Sequence, residues 1–356
     1  HTRCSRDWSS DVCSSDLRLT TLTHWLTDLA SRHGLDLGTL QPASSDASFR
    51  RYFRLQGARG TVIVMDAPPE HEDCRPFLHV TGLLKDVGLN VPGILEQDVE
   101  QGLLLLTDLG PSTYYQATQK GLDDTALQTL YRDAIRALVA MQQAPAATLP
   151  AYDAKRLKQE LSLFPEWYAL RHCQAQLDGR ETAMLEKTFE TLVQDNARQP
   201  VVLVHRDFHS PNLMVCDRPE YGPNPGVIDY QDALAGPLTY DIASLVMDAR
   251  TTWEEPQQLD WAIRYWEAAR SAGLPIASDF ADFHRAYEWM SLQRNLRILG
   301  VFARLSHRDH KHHYLDHMPR VNAYVRQVAS RYGVFTPLLR LLDKLDNRQV
   351  SVGYTF

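Results

Sequence analysis

Three oxygen-bearing side chains stand at spacings that suit phosphate chemistry: Asp207, then Asn212 five positions on, then Asp229. Asp207 closes His205-Arg206-Asp207, directly after the apolar run Val201–Val204, whose β-branched residues read as a short buried strand. A second apolar stretch, 213–216, enters a segment rich in turn formers, Pro219, Gly222, Pro223, Asn224, Pro225 and Gly226, and Val227-Ile228 then runs into Asp229. If 213–216 pairs antiparallel with 226–228, Asn212 and Asp229 meet at the open end of the hairpin. Asp207 reaches the same point from the preceding strand. Such a cluster suits Mg²⁺, a hard cation that takes one or two protein oxygens and completes its shell with the phosphates of a nucleotide. Asn212 and Asp229 are therefore the candidate metal ligands. Asp207 is the candidate catalytic residue, placed to orient a hydroxyl and accept its proton during phosphoryl transfer. Turn chemistry explains Asp217 and Asn224, but not acids at strand ends.

The elements that must position this cluster change character along the chain. Residues 19–34 carry Leu19, Leu22, Leu26 and Leu29 at helical spacing, with Gly34 as a C-cap. Pro42 is expected to break the chain before 44–55, an alternating segment that turns at Gly57-Ala58-Arg59-Gly60 into a strand over 61–65. A helix with Phe77, Val80, Leu83 and Leu84 on one face follows, then strands at 94–95 and 103–106. Beyond Pro111 helical periodicity dominates, over 124–143, 153–173, 181–196, 257–272, 279–303, 317–331 and 336–346. Phe164-Pro165-Glu166-Trp167-Tyr168 interrupts the second of these. A ring beside a carboxylate suits a sugar's apolar face and its hydroxyls, so Glu166 and Trp167 are candidate substrate contacts; packing at a proline kink accounts for the rings equally well.

The stretches HRDFHSPN (205–212), VIDYQDA (227–233) and GPLTYDIASL (236–245) resemble the kinase-like phosphotransferases that include aminoglycoside, choline and homoserine kinases. Protein kinases carry Asp-Phe-Gly after the hairpin, where this chain has Asp229-Tyr230-Gln231, so the small-molecule branch is the better match. SSDASFRRYFRL (44–55), VMDAPPE (64–70), DCRPF (73–77) and SLQRNLRILGVFARL (291–305) resemble its anomeric sugar kinases, which act on N-acetylmuramate and N-acetylglucosamine in peptidoglycan recycling. The resemblance implies an α+β, two-lobe, protein-kinase-like fold, with a nucleotide-binding sheet lobe over 18–108 and a mainly helical lobe over 109–356. It implies ATP and Mg²⁺ as cofactors and an amino sugar as the small-molecule substrate. The hinge backbone around Leu106, Asp108 and Leu109 would meet the adenine, and the loop with Ser45 and Ser48 would cover the phosphates. His205 and Asp241 would hold the catalytic loop. Arg294 would face the lactyl carboxylate of N-acetylmuramate, while Arg297 is expected on the solvated surface. One departure stands out: no lysine occurs before Lys85, and Val64-Met65-Asp66 fills the strand where such proteins keep the phosphate-binding lysine. Arg50, Arg51 and Arg54 are the available cations, Arg51 being the candidate carried forward, with Glu70 or Glu72 as a carboxylate that positions one of them.

Composition narrows the alternatives. The chain has 356 residues, room for two cores, and a net charge of −7 with both signs mixed. That balance opposes a nucleic-acid partner. No apolar run reaches a membrane span, and the five cysteines show neither metal nor disulfide spacing. A cytoplasmic monomer is the expectation. Asp7–Leu17, DWSSDVCSSDL, resembles a translated sequencing adapter, and residues 1–17 are expected to be non-native or disordered. The His-rich segment 307–317 lacks zinc spacing and reads as a solvated loop. Two rival functions remain: a kinase of aminoglycosides or another small alcohol, and a nucleotide-binding regulator without catalysis, which the missing lysine alone supports.

Overall fold

The computed structural model describes residues 8–44 and 49–346. Five antiparallel strands, β1 (Asp36–Ser44), β2 (Arg51–Gly57), β3 (Gly60–Asp66), β4 (Ile94–Asp98) and β5 (Leu103–Thr107), form one sheet in the order β1-β2-β3-β5-β4. Gly57 pairs with Gly60 across a tight loop, and Gly60 takes φ 118°, which a side chain would resist. Strand alternation then sorts the side chains onto two faces. Phe53, Leu55, Val62, Val64, Leu103 and Leu105 pack under Leu22, Leu26 and Leu29 of α1 (Trp8–His33). Tyr52, Ile63, Met65, Leu104 and Leu106 face the other way, joining Phe77, Val80 and Leu84 of α2 (Arg75–Asp86) in the main core.

Two expectations about this sheet need correction. Pro42 does not break the chain; it lies within β1, an edge strand whose register slips on either side of it. An edge position tolerates the missing N–H that a central strand could not spare. The first helix starts at Trp8 rather than near residue 19. Residues 1–7 of the expected leader, and Ser45 and Ser48 of the expected phosphate loop, lie outside the described residues.

The remainder is mainly helical: α3 (Tyr114–Gln119), α4 (Asp124–Met141), α5 (Ala154–Leu161), α6 (Gly179–Asn196), α7 (Tyr240–Val246), α8 (Glu255–Ser271), α9 (Phe280–Asp309), α10 (Met318–Ala329) and α11 (Thr336–Leu345). The helix expected over 153–173 divides into α5 and a π-helical stretch, Phe164–His172. Pro165 offers no N–H there, and the ladder widens until the Cys173 N–H donates to the Tyr168 carbonyl. The stretch packs against α9 so closely that a Cβ on Gly300 would lie 2.4 Å from the Leu163 carbonyl carbon. Residues 307–317 are not a loop throughout: α9 runs to Asp309, His310 ends it at φ 57°, and His312–His317 forms a 3-10 turn. Among the described residues no group of three His, Cys, Asp or Glu could hold a metal, and no helix is long and apolar enough to cross a membrane. Between α6 and α7 come two small ladders, β6 (Val201–Val204) with β9 (Leu234–Pro237), and β7 (Leu213–Met214) with β8 (Gly226–Val227).

Candidate active site

The ladder β7–β8 is shorter than the spacing suggested, yet it does what was expected of it. Leu213 pairs with Val227, which sets Asn212 and Asp229 just beyond the pairing. Asn212 Nδ2 donates to Asp229 Oδ2 at 3.3 Å and to the backbone oxygen of Asp207 at 3.0 Å. These bonds occupy the amide nitrogen and leave the amide oxygen as the ligand-capable atom. Gln231 Nε2 holds the other Asp229 oxygen at 2.8 Å. Asp229 itself adopts φ 65° and Arg206 φ 78°, left-handed conformations that L side chains seldom take. Strain of this kind concentrates where the surroundings fix a reactive geometry.

Those surroundings start at Asp241, in the first turn of α7 and fully buried. Its carboxylate accepts the N–H groups of His205 at 2.7 Å and Arg206 at 3.0 Å, pinning the backbone just before Asp207. Burial pushes Asp241 up to about 6, against the pull of His205 and the two N–H donors. The His205 ring spans the site: Nε2 meets the Ile228 carbonyl at 2.9 Å, and Nδ1 accepts the Asp207 N–H at 3.3 Å. One imidazole thereby links the strand before Asp207 to the strand before Asp229.

Among the described residues none donates a hydrogen bond to the Asp207 carboxylate, which leaves both oxygens for an incoming hydroxyl. Burial disfavours its charge, but His209, Arg297, Arg294 and Arg206 outweigh burial and hold it at about 2. Burial keeps His209 neutral down to about 4, so at neutral pH the three arginines do this work. Asp207 is therefore ionised and a weak base, suited to orienting a hydroxyl and taking its proton late.

Arg297 corrects an expectation: it is largely buried rather than solvated, its side chain 17% exposed and paired with Glu160 at 3.2 Å. Glu160 also accepts from Arg206 at 2.8 Å and from the Tyr152 hydroxyl. Arg294 is 2 % exposed, with Nε and Nη1 unpartnered. Glu166 and Trp167 lie on the π-helical stretch. Glu166 is exposed, and Trp167 packs against the core with the Arg171 guanidinium 5.7 Å from its ring. Neither borders the cavity described next. The kink at Pro165 points these side chains according to packing.

A cavity of about 410 Å³ lies between the sheet and the β7–β8 ladder, bordered by Leu106, Asp108, Leu109, Tyr52, Asn212 and Asp229 among others. The expected hinge residues and the candidate metal ligands thus share one space. Asp108 does so with its carboxylate already committed, to Arg54 at 2.6 and 3.0 Å, to Thr61 and to the Gly110 N–H. Arg51 does not reach this space. The alternation that turns Tyr52 and Arg54 inward turns Arg51 toward α1, where it pairs with Asp66 at 2.5 Å beside Arg18.

Other residues entered only with the structure. Ser210 is held by Asp248, which accepts its N–H at 3.0 Å and its hydroxyl and is itself fully buried. Asp248 lies seven residues beyond Asp241, just past the end of α7. Two acids at that spacing within an apolar run were the available signal.

Comparison with known proteins follows the same lines. A model of the phosphotransferase enzyme family matches residues 39–292. The N-acetylmuramate/N-acetylglucosamine kinase of Pseudomonas aeruginosa is 47% identical over 307 residues, 86% of this chain and 88% of that protein. The kinase of the same name from Neisseria meningitidis serogroup B is 40% identical, covering 94% of this chain and 98% of its own. Among solved structures, the ADP-bound aminoglycoside phosphotransferase APH(2'')-Ib superposes with a TM-score of 0.56 at 14% identity, over 85% of this chain and 97% of that one. A Plasmodium vivax ethanolamine kinase gives 0.56 at 9% identity, over 83% and 85%. At such identities these two structures speak for the kinase-like fold alone.

Proposed function

The chain belongs to the phosphotransferase enzyme family, and on that premise we propose that it transfers the terminal phosphate of ATP to the anomeric hydroxyl of N-acetylmuramate or N-acetylglucosamine. The observation that carries the reading is that Asn212 and Asp229, bonded to each other and to the backbone of Asp207, border the same cavity as Leu106 to Leu109. The named relatives supply the acceptor, and the ADP-bound neighbour supports a nucleotide in the cavity.

The oxygens of Asn212 and Asp229 fit a hard divalent cation, and two protein ligands suffice where phosphate oxygens complete the shell. When bound there, Mg²⁺ neutralises phosphate charge. The protein's own part is positioning. Asp207 accepts a hydrogen bond from the acceptor hydroxyl and takes its proton as the bond to phosphorus forms, while Asp241 and His205 fix the backbone that carries Asp207. Leu106 and Leu109 present backbone to the base, and Arg294, whose charge acts on Asp207, is the residue to meet the lactyl carboxylate of N-acetylmuramate. The arginines around Asp207 suit an acceptor with an anionic or neutral group and disfavour a polycation. An intact acid set argues equally against a regulator without catalysis.

The test is ATP consumption with Mg²⁺ against N-acetylmuramate, N-acetylglucosamine, glucose, kanamycin, choline and homoserine. Turnover confined to the two amino sugars supports the reading, and turnover only on another alcohol refutes the acceptor.

A further inference from the structure

Resting on the amino-sugar reading above, we infer that Arg250 is a specificity-determining residue of the acceptor site. Together with Arg294 it holds the lactyl carboxylate of N-acetylmuramate, a group that N-acetylglucosamine lacks. A sugar on Asp207 must extend toward unfilled hydrogen-bonding capacity. Against burial, four side chains favour the Asp207 charge: His209, Arg297, Arg294 and Arg206. Arg206 and Arg297 are committed, since both pair with Glu160, at 2.8 and 3.2 Å. His209 and Arg294 are not. His209 is 8% exposed with Nδ1 unpartnered, and the buried Arg294 leaves Nε and Nη1 unpartnered. Buried polar atoms without partners carry a cost that a polar ligand removes. A hydroxyl on Asp207 therefore brings the rest of its sugar against His209 and Arg294.

Arg250 stands by the same two residues. Its charge acts on His209, as does that of Arg294. Residues 247–251 cross α9 here: Asn295 Nδ2 meets Met247 Sδ at 3.9 Å. The Tyr324 hydroxyl, within reach of the Arg294 charge, donates to the Thr251 carbonyl at 3.1 Å. The backbone around Arg250 is fixed. Asp248 accepts the Arg250 N–H at 2.8 Å, and Arg320 donates to the Ala249 carbonyl at 3.0 Å. The side chain is partly buried, and its guanidinium makes no hydrogen bond or ion pair among the described residues. Asp248 lies within range of its charge, but that carboxylate is taken up by the Ser210 N–H and hydroxyl and by the Arg250 N–H. The guanidinium instead lies 5.9 Å from the Tyr314 ring, which packs on Phe302 of α9 at 5.2 Å. Tyr314 belongs to the 3-10 turn His312–His317, which phosphoryl transfer leaves without a role.

An uncommitted guanidinium on a fixed backbone, resting near a ring, is preorganised for an anion. A guanidinium can lie against a ring and still present its N–H edge to a carboxylate. The neighbouring histidines add no charge at neutral pH. Burial keeps His209 neutral down to about 4, and burial with the Arg250 and Arg320 charges holds His317 below its ordinary value. The positive charge here is that of Arg294 and Arg250. The ionised Asp207 repels a second carboxylate, so an anionic acceptor needs such charge beyond it. The lactyl ether of N-acetylmuramate leaves the ring two carbons from the reacting one, which carries its carboxylate away from Asp207 while the anomeric hydroxyl stays on it.

The test compares Arg250→Gln, Arg250→Lys and Tyr314→Leu with the parent, all as the full chain. KM and kcat are measured for N-acetylmuramate, its methyl ester and N-acetylglucosamine. In the parent the ester should show a higher KM than the acid. Arg250→Gln should raise KM for the acid about tenfold, the worth of one charged contact, with kcat within twofold. The ester and N-acetylglucosamine should change less than twofold, so the preference for acid over ester shrinks by the same factor. Arg250→Lys should recover part of the loss, and Tyr314→Leu should raise KM for the acid about threefold. An unchanged KM for the acid, or equal losses for all three sugars, overturns the proposal and leaves Arg250 as packing for Tyr314. If Arg250→Gln does not fold, the acid-to-ester ratio of Arg250→Lys decides. Failure of the amino-sugar reading looks different: the parent then turns over neither sugar, which overturns both. Failure of this inference alone leaves both sugars turned over and the ratio unmoved.

Discussion

Asp241→Asn is the substitution from which most can be worked out. The carboxylate meets two buried N–H donors at 2.7 and 3.0 Å. An amide of the same shape keeps one acceptor and turns an NH₂ toward the other donor. A hydrogen bond to a charged group contributes about 1.5–3 kcal/mol, and leaving its buried donor unmet costs a similar amount. The backbone it restrains includes Arg206 at φ 78°, a conformation that already costs on the order of 1 kcal/mol. Loosening it should lower kcat about 10–100-fold, with KM for ATP changed less than twofold, since Asp241 touches no part of the cavity. Stability should carry a second signature. Burial raises Asp241 from 3.8 to about 6 in the folded protein. The unfolded chain therefore loses this proton first, and stability falls as pH rises between those values and is flat above them. Asn cannot titrate, so the variant lacks that fall. Urea unfolding should show it more destabilised relative to the parent at pH 4.5 than at pH 7.5, by up to roughly 2 kcal/mol. An unchanged kcat, or a deficit that grows toward alkaline pH, would refute the reasoning.

Four further outcomes follow from the same geometry. Asp229→Asn keeps the shape but removes a charge from the candidate metal site; kcat should fall at least about 100-fold, and a Mg²⁺ titration should show a raised requirement. Arg294→Met should raise KM for N-acetylmuramate about tenfold and KM for N-acetylglucosamine less than twofold, the difference being a charged contact of about 1.4 kcal/mol. Because Asp207 is held at about 2, it stays ionised from pH 5 to 9, and a pH–rate profile should show no acid limb from it in that range. Gly300→Ala drives a Cβ into the Leu163 backbone and should cost about 1–3 kcal/mol in urea unfolding.

The parts of the molecule legible in the sequence are those fixed by local rules. Val201–Val204, the turn-rich 217–226 and Val227-Ile228 announce strand, turn and strand, and so bring Asn212 to Asp229. Helices such as Asp124–Met141 follow from periodicity alone. What was not legible depends on distant partners. Pro42 reads as a breaker until the strand is known to be at an edge. Arg51 looks as available as Arg54 until the faces are assigned, and the assignment needs α1 over one of them. Arg297 looks like a surface arginine because Glu160, its partner, is 137 residues away in sequence. Glu166 and Trp167 fall on a π-helical turn, a form that helical periodicity does not announce. Buried charge pairs and residue faces are tertiary facts, and one sequence reveals them poorly.

The central claim is that Asp207 activates an anomeric hydroxyl. The most direct measurement is phosphorus NMR of N-acetylmuramate incubated with Mg²⁺-ATP and either the parent enzyme or Asp207→Asn, with nucleotide binding measured on both. The account predicts sugar 1-phosphate from the parent, a rate at least about 1,000-fold lower from the variant, and equal ATP affinity. Phosphate on any other hydroxyl, or a variant that retains the parent's rate, would contradict it.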